Sequence, residues 1–181
     1  MSILYVGRLD ELKGIRTLLE AWRLMGAGAP LLRVCGNGPM EEWCRQQSEG
    51  LPIEMKGFVD SETVKRLLSE SRALILPTLW YEGFPMTVVE AFSLGVPVIC
   101  SDLGNTGSLI EEGVTGWKFP AGSVQGLVQA VKKCMTSDGG INSRVKTIYE
   151  SNYTPDANYR RLAEIYTEGL NENRSAGAER R

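Results

Sequence analysis

The pattern of apolar and polar positions predicts buried strands alternating with amphipathic helices. In the central stretch PTLWYEGFPMTVVEAFSLGVPVICSD, residues 77–102, a loop and a short helix lie between two apolar runs, 73–76 and 96–100. Short apolar runs bounded by turn residues are typical of buried strands. Strand, loop, helix and strand in this order predict a parallel α/β unit. Ligands bind such sheets where the carboxyl ends of the strands lead into helix N-termini, so the loop 81–85 lies where we expect a ligand.

The rest of the chain follows the same alternation. An amphipathic helix after the first strand shows apolar residues at helical spacing: Ile15, Leu18, Leu19, Trp22 and Met25. The predicted strands are residues 3–6, 31–35, 53–56, 73–76 and 96–100, with a short last strand in GVTGWKFPAGS. We therefore predict one α/β domain over residues 1–170, a Rossmann-like, doubly wound and mainly parallel sheet of about six strands. The polar, aperiodic segment 171–181 is predicted to be a disordered tail.

Composition excludes several classes of protein. With 43% apolar residues, 181 residues suit one soluble domain, and a net charge of −2 gives no reason to expect nucleic acid as a partner. We see no apolar run long enough to cross a bilayer and no signal peptide, so we expect a cytoplasmic protein. The sequence has no histidine, no Asp-any-Asp pair and four scattered cysteines. We therefore expect neither a metal nor a cofactor.

The central loop has features suited to a ligand that is both anionic and rich in hydroxyl groups. Gly83 permits close approach of the backbone, and Pro85 suits the first position of a helix. The amides of Met86 and Thr87 would then be unpaired donors at the helix start, suited to a phosphate or a sugar oxygen. Two carboxylates flank this helix start, Glu82 in the loop and Glu90 in the helix. A carboxylate accepts hydrogen bonds from sugar hydroxyls, so the pair is a candidate sugar site.

Each of these charges also has a simpler interpretation. Thr87 and Glu90 have the spacing of a capping box, so Glu90 is equally consistent with a helix cap, and Glu82 with a solvated charge. Arg8 and Lys13 follow the first strand at the same edge of the sheet, where two cations suit a diphosphate. They are also consistent with solvated loop charges near acidic neighbours. The spacing alone leaves these alternatives open.

The sequence resembles the donor-binding domain of retaining glycosyltransferases of the GT-B fold, glycosyltransferase family 4. The resemblance is carried by YVGRLDELKGIRTLLEAW, by Glu82 with the turn Gly83-Phe84-Pro85 and by Glu90-Ala91, and it extends from Tyr5 to about Lys133. It implies that Arg8 and Lys13 grip the donor diphosphate and that Glu82 contacts the transferred sugar. Glu90 would hold the ribose, and the backbone of Phe84, Pro85, Met86 and Thr87 would hold sugar and phosphate.

The resemblance adds four weaker site candidates. Gly36 and Asn37 belong to a turn that resembles the family's glycine-rich turn near the ligand, although turn chemistry alone explains it. Phe58 and Val59 correspond to backbone that borders the nucleotide base, although a packing role for Phe58 is equally consistent with the sequence. The segment 104–108, GNTGS, departs from the family's usual two glycines and acidic residue. The contacts of that loop are therefore not carried over.

The resemblance covers only half of a GT-B enzyme. It implies a metal-independent enzyme that transfers a sugar from a nucleoside-diphosphate sugar to an acceptor hydroxyl with retention of configuration. The N-terminal acceptor domain would be absent from this chain and supplied by a parent chain or a partner, so this chain alone would be inactive. The alternatives are a non-catalytic nucleotide-sugar binding module and half of another GT-B enzyme, such as a nucleotide-sugar epimerase. A nicotinamide dehydrogenase fits less well, because GRLDELKG is not a dinucleotide fingerprint.

Overall fold

The computed structural model describes the backbone of residues 1–178 and the side chains of residues 1–168, and it contains one six-stranded sheet covered by helices. The strands are β1 Ser2–Val6, β2 Leu31–Cys35, β3 Ile53–Gly57, β4 Ser71–Leu76, β5 Val98–Ser101 and β6 Gly116–Phe119. The helices are α1 Ile15–Met25, α2 Glu41–Ser48, α3 Ser61–Ser69, α4 Met86–Ser93, α5 Gly104–Leu109, α6 Val124–Thr136, α7 Ile141–Asn152 and α8 Pro155–Ala178, with a 3-10 turn at Gly26–Gly28.

The sheet has the order β3-β2-β1-β4-β5-β6, and every pairing is parallel. The chain moves outward from β1 to β3 on one side, then returns to pair β4 with β1 and moves outward on the other side. This reversal places a crevice between the loops that follow β1 and β4, at the carboxyl edge of the sheet. The prediction of a Rossmann-like, doubly wound parallel sheet is confirmed.

The core lies on both faces of the central strands. Ile3, Leu4, Leu74 and Ile75 are fully buried, as expected for parallel strands with helices on both faces. The apolar face of α1 is buried through Leu18 and Trp22, and all four cysteines are buried and unpaired. Cys35 and Cys100 lie within this core.

Helix starts follow the local chemistry. The Asp60 carboxylate accepts the Thr63 amide at the start of α3, and the Ser123 hydroxyl accepts the Gly126 amide at the start of α6. These side chains satisfy donors that have no partner within the helix.

Three helices differ from the prediction, and the ends of β1, β3, β4 and β5 differ from it by one or two residues. Pro85 is the N-cap of α4, with φ −78° and ψ 90°, so the first helical residue is Met86 and not the proline. The segment 104–108 was predicted to be a loop and instead forms most of α5. Helix α8 continues to Ala178, so the backbone of 171–178, within the predicted tail, is helical, whereas 179–181 lie outside the described residues.

Candidate functional site

The crevice contains a cavity of about 320 Å³ at the carboxyl ends of β1 and β4. Arg8 and Lys13 reach it from the loop after β1, and Glu82 from the loop after β4. The start of α4 closes one wall. The cavity is lined by seven of the predicted site residues: Arg8, Lys13, Glu82, Phe84, Pro85, Met86 and Thr87. The fold thus brings together residues from two separate segments of the chain.

Lys13 and Glu82 form an ion pair across this cavity. The Lys13 ammonium donates to Glu82 Oε1 at 2.5 Å, and the exposed fractions of the two side chains are 36% and 25%. The same oxygen accepts the Thr78 hydroxyl at 3.3 Å. A partly buried pair is screened by salt less than a surface pair. The pair therefore places a cation and a carboxylate in direct contact at the centre of the site.

Arg8 lies at the mouth of the cavity. Its side chain is 68% exposed, and its Nε lies 3.3 Å from Asp10 Oδ2. The other Asp10 oxygen accepts the Lys13 amide at 2.9 Å, which holds the loop in a compact turn. An exposed contact of this kind contributes little to stability. The Arg8 guanidinium thus keeps donors available toward a ligand.

A second cavity, of about 300 Å³, joins the first at Arg8. Its walls hold the other predicted loop residues, Gly36, Asn37, Phe58 and Val59. The Phe58 ring is 78% exposed, so it does not pack into the core and the packing alternative is wrong. A flat apolar ring at the rim of a cavity is available for stacking on a ligand.

The first residues of α4 present backbone donors to the first cavity. The amides of Met86 and Thr87 have no acceptor within the helix, and no side chain caps this end. The Val88 amide is already bound to the Pro85 carbonyl. An uncapped helix start beside a cation is suited to an anionic group.

Glu90 and Gly83 are not part of the wall of either cavity. The capping-box alternative for Glu90 is wrong, because the N-cap is Pro85 and not Thr87. Within the side chains that the structure describes, the Glu90 carboxylate accepts no hydrogen bond, and it is half-buried on the second turn of α4. The Gly83 carbonyl accepts the Asn105 side chain at 2.5 Å, which ties the loop after β4 to α5.

Sequence reasoning missed three polar residues of the site, Thr78, Ser101 and Thr106. Thr78 is 3% exposed, and its hydroxyl lies 3.3 Å from the carbonyl of Leu12 as well as from Glu82. Its carbonyl accepts the buried Ser101 hydroxyl at 2.7 Å. Thr106 lines the first cavity, and its hydroxyl is buried with no partner among the described side chains. A polar residue directly after a buried strand was the available signal for Thr78.

Two glycines permit the loops to pack closely. Gly14 has φ +70°, and a Cβ there would overlap the Pro77 carbonyl oxygen and lie 2.6 Å from its carbon. A Cβ on Gly36, at φ +136°, would likewise lie 2.9 Å from the Gly7 carbonyl carbon. Gly36 therefore has a packing reason beyond turn chemistry.

Burial changes the chemistry of the thiols. Desolvation raises the pKa of Cys100 and of Cys134 to about 12 and that of Cys44 to about 11. Protonated, buried thiols are poor nucleophiles. Within the described residues no cluster of three metal-ligating side chains occurs, and no helix is long and apolar enough to cross a membrane. The absence of a cofactor and the cytoplasmic location stay predictions.

Residues 2–152 match the protein family described as "Glycosyl transferases group 1". The match covers most of the chain, so the protein belongs to this family. Among similar curated proteins is the amylovoran biosynthesis glycosyltransferase AmsK of Erwinia amylovora, 30% identical over 179 residues, which are 91% of this chain and 44% of AmsK. The putative colanic acid biosynthesis glycosyltransferase WcaL of Salmonella typhimurium is 32% identical over 138 residues, 70% of this chain and 34% of WcaL.

Solved structures show the same fold. The lipopolysaccharide outer core galactosyltransferase WaaB has a TM-score of 0.77 at 24% identity, covering 92% of this chain and 49% of WaaB. Anabaena HepE in complex with UDP has a TM-score of 0.79 at 21% identity, covering 92% and 48%. The structural neighbours are GT-B glycosyltransferases, which confirms the predicted fold class. This chain spans less than half the length of each of these four proteins.

Proposed function

We propose that this chain is the donor-binding half of a retaining glycosyltransferase of family 4. It would bind a nucleoside-diphosphate sugar, whose sugar is transferred to an acceptor hydroxyl with retention of configuration. The observation that carries the proposal is the meeting of Lys13, Glu82 and the uncapped start of α4 around one cavity. These are a cation and backbone donors for a diphosphate, beside a carboxylate for sugar hydroxyls.

The proposed catalysis rests on stabilising the leaving group. As the glycosidic bond breaks, negative charge grows on the departing diphosphate, and Lys13, Arg8 and the amides of Met86 and Thr87 would balance it. Glu82 and Glu90 would orient the sugar and the ribose, which is a positioning role and needs no proton transfer. No histidine or metal ion is required by this scheme.

The placement of the nucleotide follows from the second cavity. It adjoins the first at Arg8, so a diphosphate bound near Lys13 would direct its nucleoside toward Phe58 and Val59 or toward α4. The exposed Phe58 ring is suited to the base in the first case. In the second case the nucleoside would lie near the side chain of Glu90 on α4. The proposal assigns the ribose to Glu90.

The proposal requires a second domain, in the parent chain or in a partner, to supply the acceptor site. The relatives are more than twice as long as the part that this chain matches. Large apolar side chains are exposed at the rim of the site and on α8: Trp80, Tyr81, Phe84, Met86, Tyr159, Leu162, Ile165 and Tyr166. Exposed apolar groups concentrated in this way are typical of a docking surface. The chain alone would bind donor and transfer nothing.

The test is calorimetry of nucleotide binding to the 181-residue chain. UDP, GDP, ADP and their sugar conjugates are titrated into the wild type, Lys13→Ala and Lys65→Ala. Lys65 is an exposed lysine of α3 with no ion pair among the described side chains, so it matches the charge change outside the site. We expect one nucleotide to bind the wild type and the control equally and to bind Lys13→Ala at least tenfold more weakly. Equal binding to all three proteins would refute the assignment of Lys13.

The alternative from the sequence is a non-catalytic nucleotide-sugar binding module. The two are separated by adding the missing domain, either as the full parent chain or as a purified partner. Release of nucleoside diphosphate that depends on an acceptor supports the transferase. Binding without turnover in the complete assembly supports the module.

A further inference from the structure

The Lys13 ammonium is already paired with a carboxylate before any ligand binds. Its contact with Glu82 Oε1 is 2.5 Å, and no other carboxylate pairs with it among the described side chains. An incoming diphosphate therefore meets a charge pair, not a lone cation. The Glu82 charge, which lies beside the phosphate-binding nitrogen, opposes the binding of every anion at this point.

Glu82 Oε2 accepts no hydrogen bond from the side chains and backbone that the structure describes, whereas Oε1 accepts both Lys13 and Thr78. The carboxylate also forms part of the cavity wall. Oε2 therefore keeps its capacity to accept a hydrogen bond from a hydroxyl group. A sugar hydroxyl that donates to it would stabilise the carboxylate and offset the repulsion.

We infer that Glu82 makes the site prefer the intact nucleotide-sugar over the bare nucleoside diphosphate, because its charge competes with phosphate for Lys13 and only the sugar compensates. The intact donor supplies a hydroxyl of the transferred sugar for Oε2, whereas the diphosphate left after transfer has lost that sugar. The same carboxylate thus favours substrate binding and product release. This inference rests on the proposed function, since it assumes that the cavity binds a nucleotide-sugar.

Thr78 positions this carboxylate. Its buried hydroxyl lies 3.3 Å from Glu82 Oε1 and from the Leu12 carbonyl, which precedes Lys13 in the chain. The backbone adds a bond from the Leu79 amide to the same carbonyl at 2.8 Å. These bonds tie the two loops together, so the Lys13–Glu82 pair is held in place by more than its own attraction.

The test compares Glu82→Gln with the wild type. Glutamine keeps the size and an oxygen acceptor for Lys13 and Thr78 but removes the charge. The ligands are inorganic pyrophosphate, UDP with UDP-glucose, GDP with GDP-mannose and ADP with ADP-glucose, measured by calorimetry at low and high salt. The matched control is Glu20→Gln, an exposed glutamate on α1 without an ion pair in the described part of the chain.

We expect Glu82→Gln to bind pyrophosphate and the bare nucleoside diphosphate about three- to tenfold more tightly than the wild type, with a smaller gain at high salt. The intact donor should gain nothing or bind more weakly, so the ratio of the two affinities falls. Thr78→Val should also lower that ratio, and Thr78→Ser should restore it.

Two outcomes overturn the inference, and they are distinguishable. If the wild type binds a nucleotide and Glu82→Gln binds the bare diphosphate no more tightly, Glu82 does not compete for Lys13 and the proposed function stands. If neither protein binds any of these ligands, the proposed function fails and the inference fails with it.

Discussion

Replacing Gly14 with alanine tests the close contact that joins the two loops of the site. Gly14 has φ +70°, and a Cβ would overlap the carbonyl oxygen of Pro77. A left-handed backbone costs a residue with a Cβ about 1–2 kcal/mol. Displacing a packed backbone group costs about 1–3 kcal/mol more. The Leu79 amide to Leu12 carbonyl bond, at 2.8 Å, spans the same contact and would be distorted with it.

A second glycine of the chain, Gly50, is a matched control that separates the backbone strain from the steric overlap. Gly50 has φ +72°, and a Cβ added to it would meet no other atom within 4 Å. Gly50→Ala therefore carries the backbone strain without the overlap. We expect it to lower the free energy of unfolding by about 1–2 kcal/mol. Gly14→Ala should lower it by about 2–5 kcal/mol, which is a Tm lower by roughly 4–20 °C for a domain of this size.

The assay is urea unfolding followed by tryptophan fluorescence, since Trp22 on α1 and Trp117 in β6 are both buried. Equal m-values would show that the two variants expose the same amount of surface on unfolding. The nucleotide affinity of Gly14→Ala should also fall, because Lys13 precedes the displaced residue, whereas that of Gly50→Ala should not. A Gly14→Ala variant no less stable than Gly50→Ala would refute the reasoning.

Three further predictions follow from the site, the thiols and α8. Glu90→Ala should change the free energy of unfolding by less than about 0.5 kcal/mol, because Glu90 caps no helix. The same change should weaken nucleotide binding about tenfold or more. A loss of stability without a loss of binding would contradict the ribose role. The four buried thiols should not react with a thiol reagent in the native protein at pH 8, and rapid reaction of a native thiol would refute this. The free energy of unfolding should also fall as the pH rises from about 9 toward 12. The reason is that Cys100 and Cys134, with pKa about 12, stay protonated in the folded state while the thiols of the unfolded chain ionise. The chain should self-associate at high concentration through the exposed apolar residues of α8. Replacing Leu162 and Tyr166 with serine should abolish the self-association in sedimentation experiments. A wild type that stays monomeric would argue against an exposed docking face.

The strands and the long helices were predictable because each carries its own periodic signal. The apolar runs match β1, β2 and β4, and the apolar face of α1 is the buried one. Helix α5 was missed because Gly104 and Gly107 lower its helix propensity and it shows no apolar repeat. Its position comes from packing on β5, where Thr106 and Gly107 are buried. Local propensity could not reveal that.

The sequence by itself determined which residues are candidates for the site, because chemical type and position after a strand can both be read along a chain. The alternation of strands and helices, which a doubly wound fold requires, could also be read from the sequence. Only the tertiary structure decided that Lys13 and Glu82, 69 positions apart, form one ion pair, and that Thr78 holds the two loops together. The reason is topological, since β1 and β4 become neighbours only when the chain returns to the centre of the sheet. A charge that looks solvated in the sequence acquires its partner at that point.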